Sequence, residues 1–427
     1  MFIFYDLIFL VFALIYLPVY LFRRKFHPGF SMRLGILPKA LEFNRPIWIH
    51  AVSVGEVMVV QKLIAGLKAA YPDKKILIST VTPTGNRIAR GIAAGDDAVI
   101  YLPLDLSFIV RHVVEKINPS LFIMAETEIW PNLISYLAQK KIPVLLVNGR
   151  ISDRSFRGYL GIKFLLKPLL NKISLFCVQT KTDAQRLMRL GVLESRIQIA
   201  GNMKFDILDY ADTTKDYPDY KLKLGLGPEE KLLVAGSTHP GEEEIILAIY
   251  RRLLSEFPRL KLLIAPRHPE RAAQIEKLVI RHNLKPIKIL QLNPTPNTNN
   301  LKPVFILNTI GQLLNFYNIA DIVFVGGSLI RKGGHNILEP AALSKPVIFG
   351  PYMFNFRDIS GLFLENKAAL LARDKEELEL YIKDLLNNPA KGIGLSQRAK
   401  SLILQNQGAT ARNLEYISNY LSKKKED

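Results

Sequence analysis

Cysteine is all but absent. Cys177 is the single one in 427 residues, which excludes an intramolecular disulfide and any Cys-cluster zinc site and fits a reducing compartment. Acidic residues are scarce: 38 Asp and Glu stand against 57 Lys and Arg, a formal net charge of +19 that predicts a surface attractive to nucleic acid, anionic lipid or phosphorylated substrates. There is no Asp-x-Asp, no His-Glu-x-x-His and no P-loop, so no metal-dependent mechanism is suggested. Short-period repeats and low-complexity tracts are missing too. With 49% apolar and 22% charged residues the chain is too apolar for disorder. Its length predicts two domains of roughly 150 to 200 residues each.

One long hydrophobic run is present. Residues 1–22 hold a single charge, Asp6, and a single proline, Pro18. At about 1.5 Å per residue the run is just long enough to span a hydrocarbon core of about 30 Å. The basic residues Arg23, Arg24 and Lys25 follow it instead of preceding it, which predicts a retained anchor with the remainder of the chain on the cytoplasmic side. A helix lying in the membrane interface is the alternative, because Asp6 and Pro18 leave only a marginal span. The segment 23–45 adds Arg33, Lys39 and Arg45 with one acid, Glu42, which suits anionic head groups or serves as a topology signal.

From residue 46 onward short apolar runs alternate with helical patterns, the signature of parallel sheets wrapped by helices. Strands are predicted at Ile47–Val52, Lys75–Val81, Ala98–Tyr101, Leu121–Met124, Val144–Val147 and Leu175–Val178. The stretch 206–230 then turns polar, with five aspartates followed by Gly225, Gly227 and Pro228, and a domain boundary is placed there. A second series follows at Leu232–Ala235, Leu262–Ala265, Val304–Leu307, Ile322–Val325 and Val347–Phe349. The expected organisation is an anchor over 1–22, one doubly wound α/β domain over 23–210 and another over 211–427, facing each other across a cleft. The last helix carries Leu414, Ile417 and Leu421 as an apolar stripe able to pack on either half.

Ligands of open α/β sheets bind at the carboxyl ends of strands, so the informative residues follow each strand. Glu56, in HAVSVGE, opens a helix after the first strand; it fits a general base held ionised by the helix dipole, or an acid that merely complements that dipole. The run TPTG at 82–85 fits anion binding and ordinary N-capping equally. Glu126 and Glu128 precede an aromatic, Trp130, and suit acid/base work, the orienting of a cation, or a capped helix with Trp130 in the core. Lys204, in GNMKFD, could neutralise a carboxylate or phosphate, or simply be solvated. In the second half Glu242, Glu243 and Glu244 read as an ordinary acidic helix start, Arg267 aims a guanidinium at the cleft, and the glycines at 326–327 and 333–334 free backbone amides for a phosphate. Asn336 and Glu339 also match a capping box.

In register, HAVSVGE, TPTG, ETEIWPNL, GNMKFD, STHPGEE, PRHPER, FVGGSL, GGHNILEP and GPYMFNF resemble the 3-deoxy-D-manno-octulosonic acid (Kdo) transferases of lipopolysaccharide biosynthesis over nearly the whole chain, the N-terminal run included. The resemblance implies a GT-B glycosyltransferase of two Rossmann-like domains that moves Kdo from CMP-Kdo to lipid IV A, inverting and without a cofactor or metal, at the cytoplasmic face of the bacterial inner membrane. It implies Glu56 as proton acceptor, with Glu126 and Lys204 supporting the transition state. CMP-Kdo would be held by Pro266 and Arg267, by Ile310, Gly311 and Gln312, and by Asn336, Ile337, Leu338 and Glu339. The family usually has Met-Gly-Glu where this chain has Ile310-Gly311-Gln312, so a backbone contact is expected there in place of a carboxylate. Two alternatives compete: another GT-B nucleotide-sugar transferase or an epimerase, which would not need the anchor, and a tethered binder of anionic lipid or nucleic acid, which would not need the strand-end motifs. Nucleic acid is therefore not an expected partner.

Overall fold

The computed structural model describes residues 5–7, 9–11, 15, 29–38, 41, 43–206, 220–289 and 302–422. The chain divides into two compact units, the first comprising Met1–Lys204 with Gln407–Asp427 and the second Phe205–Asn406. The predicted domain 211–427 is thus corrected at its end, because the chain returns to the first unit at residue 407. There the helix Ala409–Ser422 lays Ile417 and Leu421 into a core shared with the helix Val54–Ala70. Arg412 Nε donates to the Ala200 carbonyl at 2.8 Å and the Tyr420 hydroxyl to the Ser174 carbonyl at 3.1 Å, both within that unit.

The first unit is built on a seven-stranded sheet: β1 Ile47–His50, β2 Ile76–Thr80, β3 Ala98–Tyr101, β4 Leu121–Ala125, β5 Val144–Gly149, β6 Leu175–Val178 and β7 Ile197–Ile199, ordered β3-β2-β1-β4-β5-β6-β7. Every pairing is parallel. Helices cover both faces, which is why the strands read as unbroken apolar runs. Successive residues point to opposite faces: Trp48, Phe122 and Phe176 enter one core, and Ile49, Ile123 and Cys177 the other. Burial pushes the Cys177 thiol up to about 12, so it packs as an inert hydrophobe.

The second unit repeats the plan with β8 Lys231–Thr238, β9 Leu260–Pro266, β10 Lys285–Lys288, β11 Pro303–Ile306, β12 Ile322–Val325, β13 Val347–Phe349 and β14 Leu370–Leu371, ordered β10-β11-β9-β8-β12-β13-β14, again wholly parallel. Strand order reverses between β1 and β4 in the first sheet and between β8 and β12 in the second. At such a switch point the two flanking connections leave in opposite directions and open a crevice beyond the carboxyl ends.

Most of the N-terminal run lies outside the described residues, and among the described ones no helix is long and apolar enough to cross a membrane. The helical residues of that run that are described sit on the first unit. Asp6, the single charge in the run, accepts from the Ser107 N–H at 3.1 Å and from Asn132 Nδ2 at 2.7 Å, and Phe9 packs against the core. Leu7, Leu10, Val11 and Ile15 remain exposed. Of the basic segment 23–45, Arg23, Arg24, Lys25, Lys39 and Glu42 fall outside the described residues.

At the second switch point the backbone of the loop after β8 approaches Gly326 closely: an added Cβ would stand 2.6 Å from the Ser237 carbonyl oxygen and 2.7 Å from the Thr238 Cα. Backbone atoms cannot swing aside, so Gly326→Ala is expected to destabilise the chain by about 2 kcal/mol or more. Gly158→Ala, in an exposed helix with open space around the site, is expected to leave stability unchanged or raise it slightly. Thermal unfolding of the two variants checks both, and equal melting temperatures would remove the packing argument.

Candidate active site

Glu56 stands at the third position of the helix Val54–Ala70, immediately after β1, with 9% of its surface exposed. Its side chain turns back toward the start of the helix. Oε2 accepts the Val52 N–H at 2.7 Å and Oε1 the Ser53 hydroxyl at 2.9 Å. The helix dipole was expected to keep this carboxylate ionised, but burial outweighs it. Desolvation pushes the pKa up to about 7, against the two hydrogen bonds, and the charges of Glu126 and Glu128 push it further in the same direction. A carboxylate poised near neutrality can both accept and release a proton, which an ordinary surface glutamate cannot do efficiently at pH 7.

Glu126 follows β4, across the switch point from β1. It is held at φ 57, a left-handed conformation that a non-glycine residue adopts at some energetic cost, while its N–H continues the ladder to the Val147 carbonyl at 2.9 Å. Its Oε1 lies 3.4 Å from Lys204 Nζ. Lys204 reaches this place through a turn fixed by Asn148, at the end of β5, whose Oδ1 accepts the Met203 N–H at 3.0 Å. Asn148 is fully buried, is itself at φ 52, and was not singled out in the sequence because nothing marks it beyond its place at a strand end. Glu128 is partly buried and its pKa is raised by that burial and by Glu126. The structure therefore brings Glu56, Glu126 and Lys204 to one switch point.

Two other strand-end motifs resolve toward structure. Thr82 caps its own helix, accepting the Gly85 N–H at 3.1 Å, so TPTG is an N-cap. His50 is buried, bonded through Nδ1 to the Ser79 hydroxyl at 3.0 Å, and desolvation lowers its pKa to about 4. Trp130 packs edge-on against it, their centroids 6.0 Å apart.

In the second unit the glycine-rich turn holds a surprise for the sequence argument. The N–H groups of Gly327, Ser328 and Leu329, offered there to a phosphate, all point at the chain's own Glu242, at 2.7, 3.0 and 3.0 Å. A fourth donor, the His239 N–H, completes the set at 3.0 Å. Glu242 is not a solvated helix-start acid but wholly buried, and it ties the loop after β8 to the loop after β12. Burial pushes its pKa upward, yet N–H donors meet both oxygens from four sides, which is the coordination of an ionised carboxylate. Glu243, also wholly buried, bonds the Thr238 hydroxyl at 2.9 Å and pairs with Arg271 at 2.8 Å. The reading of both as ordinary first-turn acids is corrected accordingly.

The residues assigned to the donor lie at the carboxyl ends of this sheet. Pro266 ends β9, and Arg267, exposed, bonds its N–H to the Thr238 carbonyl at 3.0 Å. Ile310 and Gly311 form an exposed turn beyond β11 with Gly311 at φ 87, and Gln312 Oε1 accepts the Thr309 hydroxyl at 2.9 Å. Asn336 Nδ2 donates to Glu339 Oε1 at 3.0 Å and its Oδ1 accepts the Leu338 N–H at 3.1 Å. The helix begins at Leu338 with Ile337 at the cap position, so the predicted capping box does not form: Asn336 stands one residue too early and meets Glu339 side chain to side chain. His239, His268 and His335 join this group. They stand in three of the quoted motifs, but spacing alone gave no reason to single them out. Among the described residues no cluster of three or more His, Cys, Asp or Glu is arranged to hold a metal ion.

A family model described as 3-Deoxy-D-manno-octulosonic-acid transferase (kdotransferase) matches residues 29–207. The 3-deoxy-D-manno-octulosonic acid transferase of Haemophilus influenzae is 36% identical over 378 residues, covering 88% of this chain and 87% of that protein. Among solved structures, a glycosyltransferase from Rickettsia africae matches with a TM-score of 0.57 at 16% identity, over 89% of this chain and 99% of that one. The UDP-GlcNAc 2-epimerase of Neisseria meningitidis matches with a TM-score of 0.58 at 12% identity, over 88% and 100%. These two show a common two-domain α/β fold.

The raised pKa of Glu56 has a sign that thermal unfolding can read. Glu56 ionises near 4.5 when unfolded and near 7 when folded, so its charge opposes folding increasingly as pH rises between those values and by a constant amount above them. Glu56→Gln is therefore expected to stabilise the chain by roughly 1–3 kcal/mol at pH 8, with the gain vanishing toward pH 4. A gain independent of pH would show that burial is not its source.

Proposed function

The chain belongs to the 3-deoxy-D-manno-octulosonic acid transferases, a family of glycosyltransferases, and on that premise we propose that it transfers Kdo from CMP-Kdo to lipid IV A, releasing CMP, by a metal-independent inverting displacement. The observation that carries this reading is Glu56: a buried carboxylate with its pKa near 7, at a switch point, beside the Glu126–Lys204 pair. As the acceptor hydroxyl oxygen attacks the anomeric carbon of Kdo, the bond from that carbon to the phosphate oxygen breaks, its electron pair leaves with CMP, and Glu56 takes the hydroxyl proton. Glu126 pairs with Lys204, whose ammonium would meet the Kdo carboxylate as charge redistributes. In the second unit Arg267 would meet the phosphate, whose charge grows as CMP departs. Asn336 to Glu339 and the exposed turn at Ile310 to Gln312 would hold the rest of the nucleotide. Gln312 has its side chain engaged by Thr309, which supports a backbone contact there.

A lipid acceptor requires a membrane surface, and we place both units on the cytoplasmic side of a bacterial inner membrane. Supporting contact with a membrane surface is the hairpin of helices Asp153–Gly161 and Lys163–Leu170, next to the Glu126–Glu128 segment through Tyr159, whose pKa is raised by burial and by the charge of Glu128. It exposes Phe164 by 75% and Leu165 by 50%, with Ile162, among the exposed cations Arg154, Arg157, Lys163 and Lys167. Exposed apolar side chains interspersed with cations suit an anionic interface.

Two experiments test these readings. Detergent-solubilised protein incubated with CMP-Kdo and lipid IV A is expected to release CMP and raise the lipid mass in Kdo units. Its kcat/KM should increase about tenfold per pH unit below 7 and level off above, and Glu56→Gln should lower it by about 10²–10⁴-fold. Turnover of a UDP-sugar instead, or near-normal turnover by the variant, would sink the assignment. Phe164→Asp with Leu165→Asp is expected to reduce co-flotation with vesicles of anionic phospholipid while leaving CMP binding unchanged, and undiminished flotation would remove the hairpin from the membrane contact.

A further inference from the structure

Because Glu242 already occupies the N–H groups of Gly327, Ser328 and Leu329, those amides are closed to an anion at the second switch point, and the side chains around it come forward. Those at hand are His239 after β8, Arg267 and His268 after β9, and Lys332 and His335 after β12, while Arg271 stands near them already paired with Glu243. Within this set His239 Nε2 and His335 Nε2 are 2.8 Å apart, the ring planes are 5° from parallel and the centroids are 5.1 Å apart. Parallel rings whose nitrogens approach that closely at that centroid separation lie end to end in one plane, not face to face. Two Nε2 atoms at this distance share one proton, one ring donating and the other accepting. The approach depends on Gly327, at φ 68, where a Cβ would stand 3.0 Å from His335 Cδ2. His268 closes the group edge-on, 6.2 Å from the His239 centroid.

The charged groups facing the pair are of one sign. Arg267, Arg271 and Lys332 are cationic, and His268 becomes so when protonated. The nearby carboxylates are engaged: Glu242 by four N–H groups, Glu243 by Arg271 and Thr238, Glu339 by Asn336, and Glu270 by the His268 ring at 3.3 Å. Burial, with these cations, lowers His335 to about 4 and lowers His239 as well, so at neutral pH the empty pair is uncharged and holds its single shared proton.

We propose that His239 and His335 form an anion-triggered proton clamp, in which the phosphate of the donor nucleotide seats against their facing nitrogens beside Arg267 and the pair takes up a second proton from solvent as it binds. The ring–ring hydrogen bond opens, and both Nε2–H groups turn onto phosphate oxygens. When the bond from the anomeric carbon to the phosphate breaks, the phosphate oxygen receives the electron pair and gains one negative charge, which meets a site that has gained one positive charge. Release of CMP returns the proton to solvent and closes the pair. The clamp rests on reading the second unit as the donor half, and the test separates the two.

Calorimetric titration of CMP into the full chain near pH 7, in buffers of different ionisation enthalpy, is expected to show uptake of about one proton per CMP bound. Affinity should weaken as pH rises toward 9. His335→Gln and His239→Gln, each preserving a polar group at the Nε2 position without a titrating ring, are expected to bind CMP about tenfold more weakly at pH 7, with no uptake and a flat pH profile. Circular dichroism confirms that each variant is folded, and either one suffices. Uptake with inorganic phosphate but no binding of CMP supports the clamp and overturns the donor reading. CMP binding without proton uptake, or with uptake unchanged in both variants, overturns the clamp and leaves the donor reading standing. Failure of the folded chain to bind either anion overturns both.

Discussion

Both sheets are parallel throughout and covered on both faces, and the placement of the polar chemistry depends on that constraint. A parallel sheet buried in this way has no face to offer a substrate. Functional side chains are displaced to the loops at the strand ends, and only where neighbouring connections diverge does a crevice open. Glu56 and Glu126 follow the two strands that flank the switch point of the first unit. The loops carrying His239 and His335 follow the two that flank the switch point of the second.

At these two points the chain buries carboxylates for opposite ends. Glu242 has four backbone N–H donors and so serves as a resident anion, filling with a side chain the place that a ligand phosphate takes in many glycine-rich turns. Glu56 has two donors and two carboxylate neighbours, and burial leaves its proton affinity near neutrality. Burial alone does not distinguish the two. The number of donors and the sign of the surrounding charge decide whether a buried carboxylate acts as a fixed strut or as a group able to exchange a proton.

This difference also marks how far the amino-acid sequence could be read. Central strands are legible because burial on both faces forces unbroken apolar runs. The three strands that pattern did not predict, β7, β10 and β14, are all sheet edges with partly exposed residues such as Gln198, Lys285 and Lys288. Glu56, Glu126 and Lys204 are legible because their motifs stand just after strands. Glu242 was misread because an acid in the first turn of a helix looks the same whether it faces water or a neighbouring loop; only the arrival of β12 beside β8, some 90 residues later, decides it. The stripe Leu414, Ile417 and Leu421 announces that the last helix packs but not on which unit. Gly66, where a Cβ would stand 2.4 Å from Leu414 Cδ1, marks the receiving surface without naming its partner.

Backbone strain follows the same geography. Of the non-glycine residues at positive φ, Asn118, Lys141, Asn283, Ser344 and Lys367 stand just beyond the ends of helices, where a left-handed residue commonly terminates the turn. Glu126, Asn148 and Ser237 have no such excuse: they lie at the carboxyl ends of β4, β5 and β8. Each holds a conformation that costs of order 1 kcal/mol or more, less for asparagine. In each case the bend re-aims the chain at a switch point. Glu126 turns toward Lys204, Asn148 reaches the Met203 amide that sets Lys204 in place, and Ser237 precedes the loop on which His239 stands. Arg45, at φ 47 in the turn before β1, is the one left-handed non-glycine residue of the described chain outside both groups. The well-packed sheets hold the three strand-end bends in place, and each of them shapes one of the two sites.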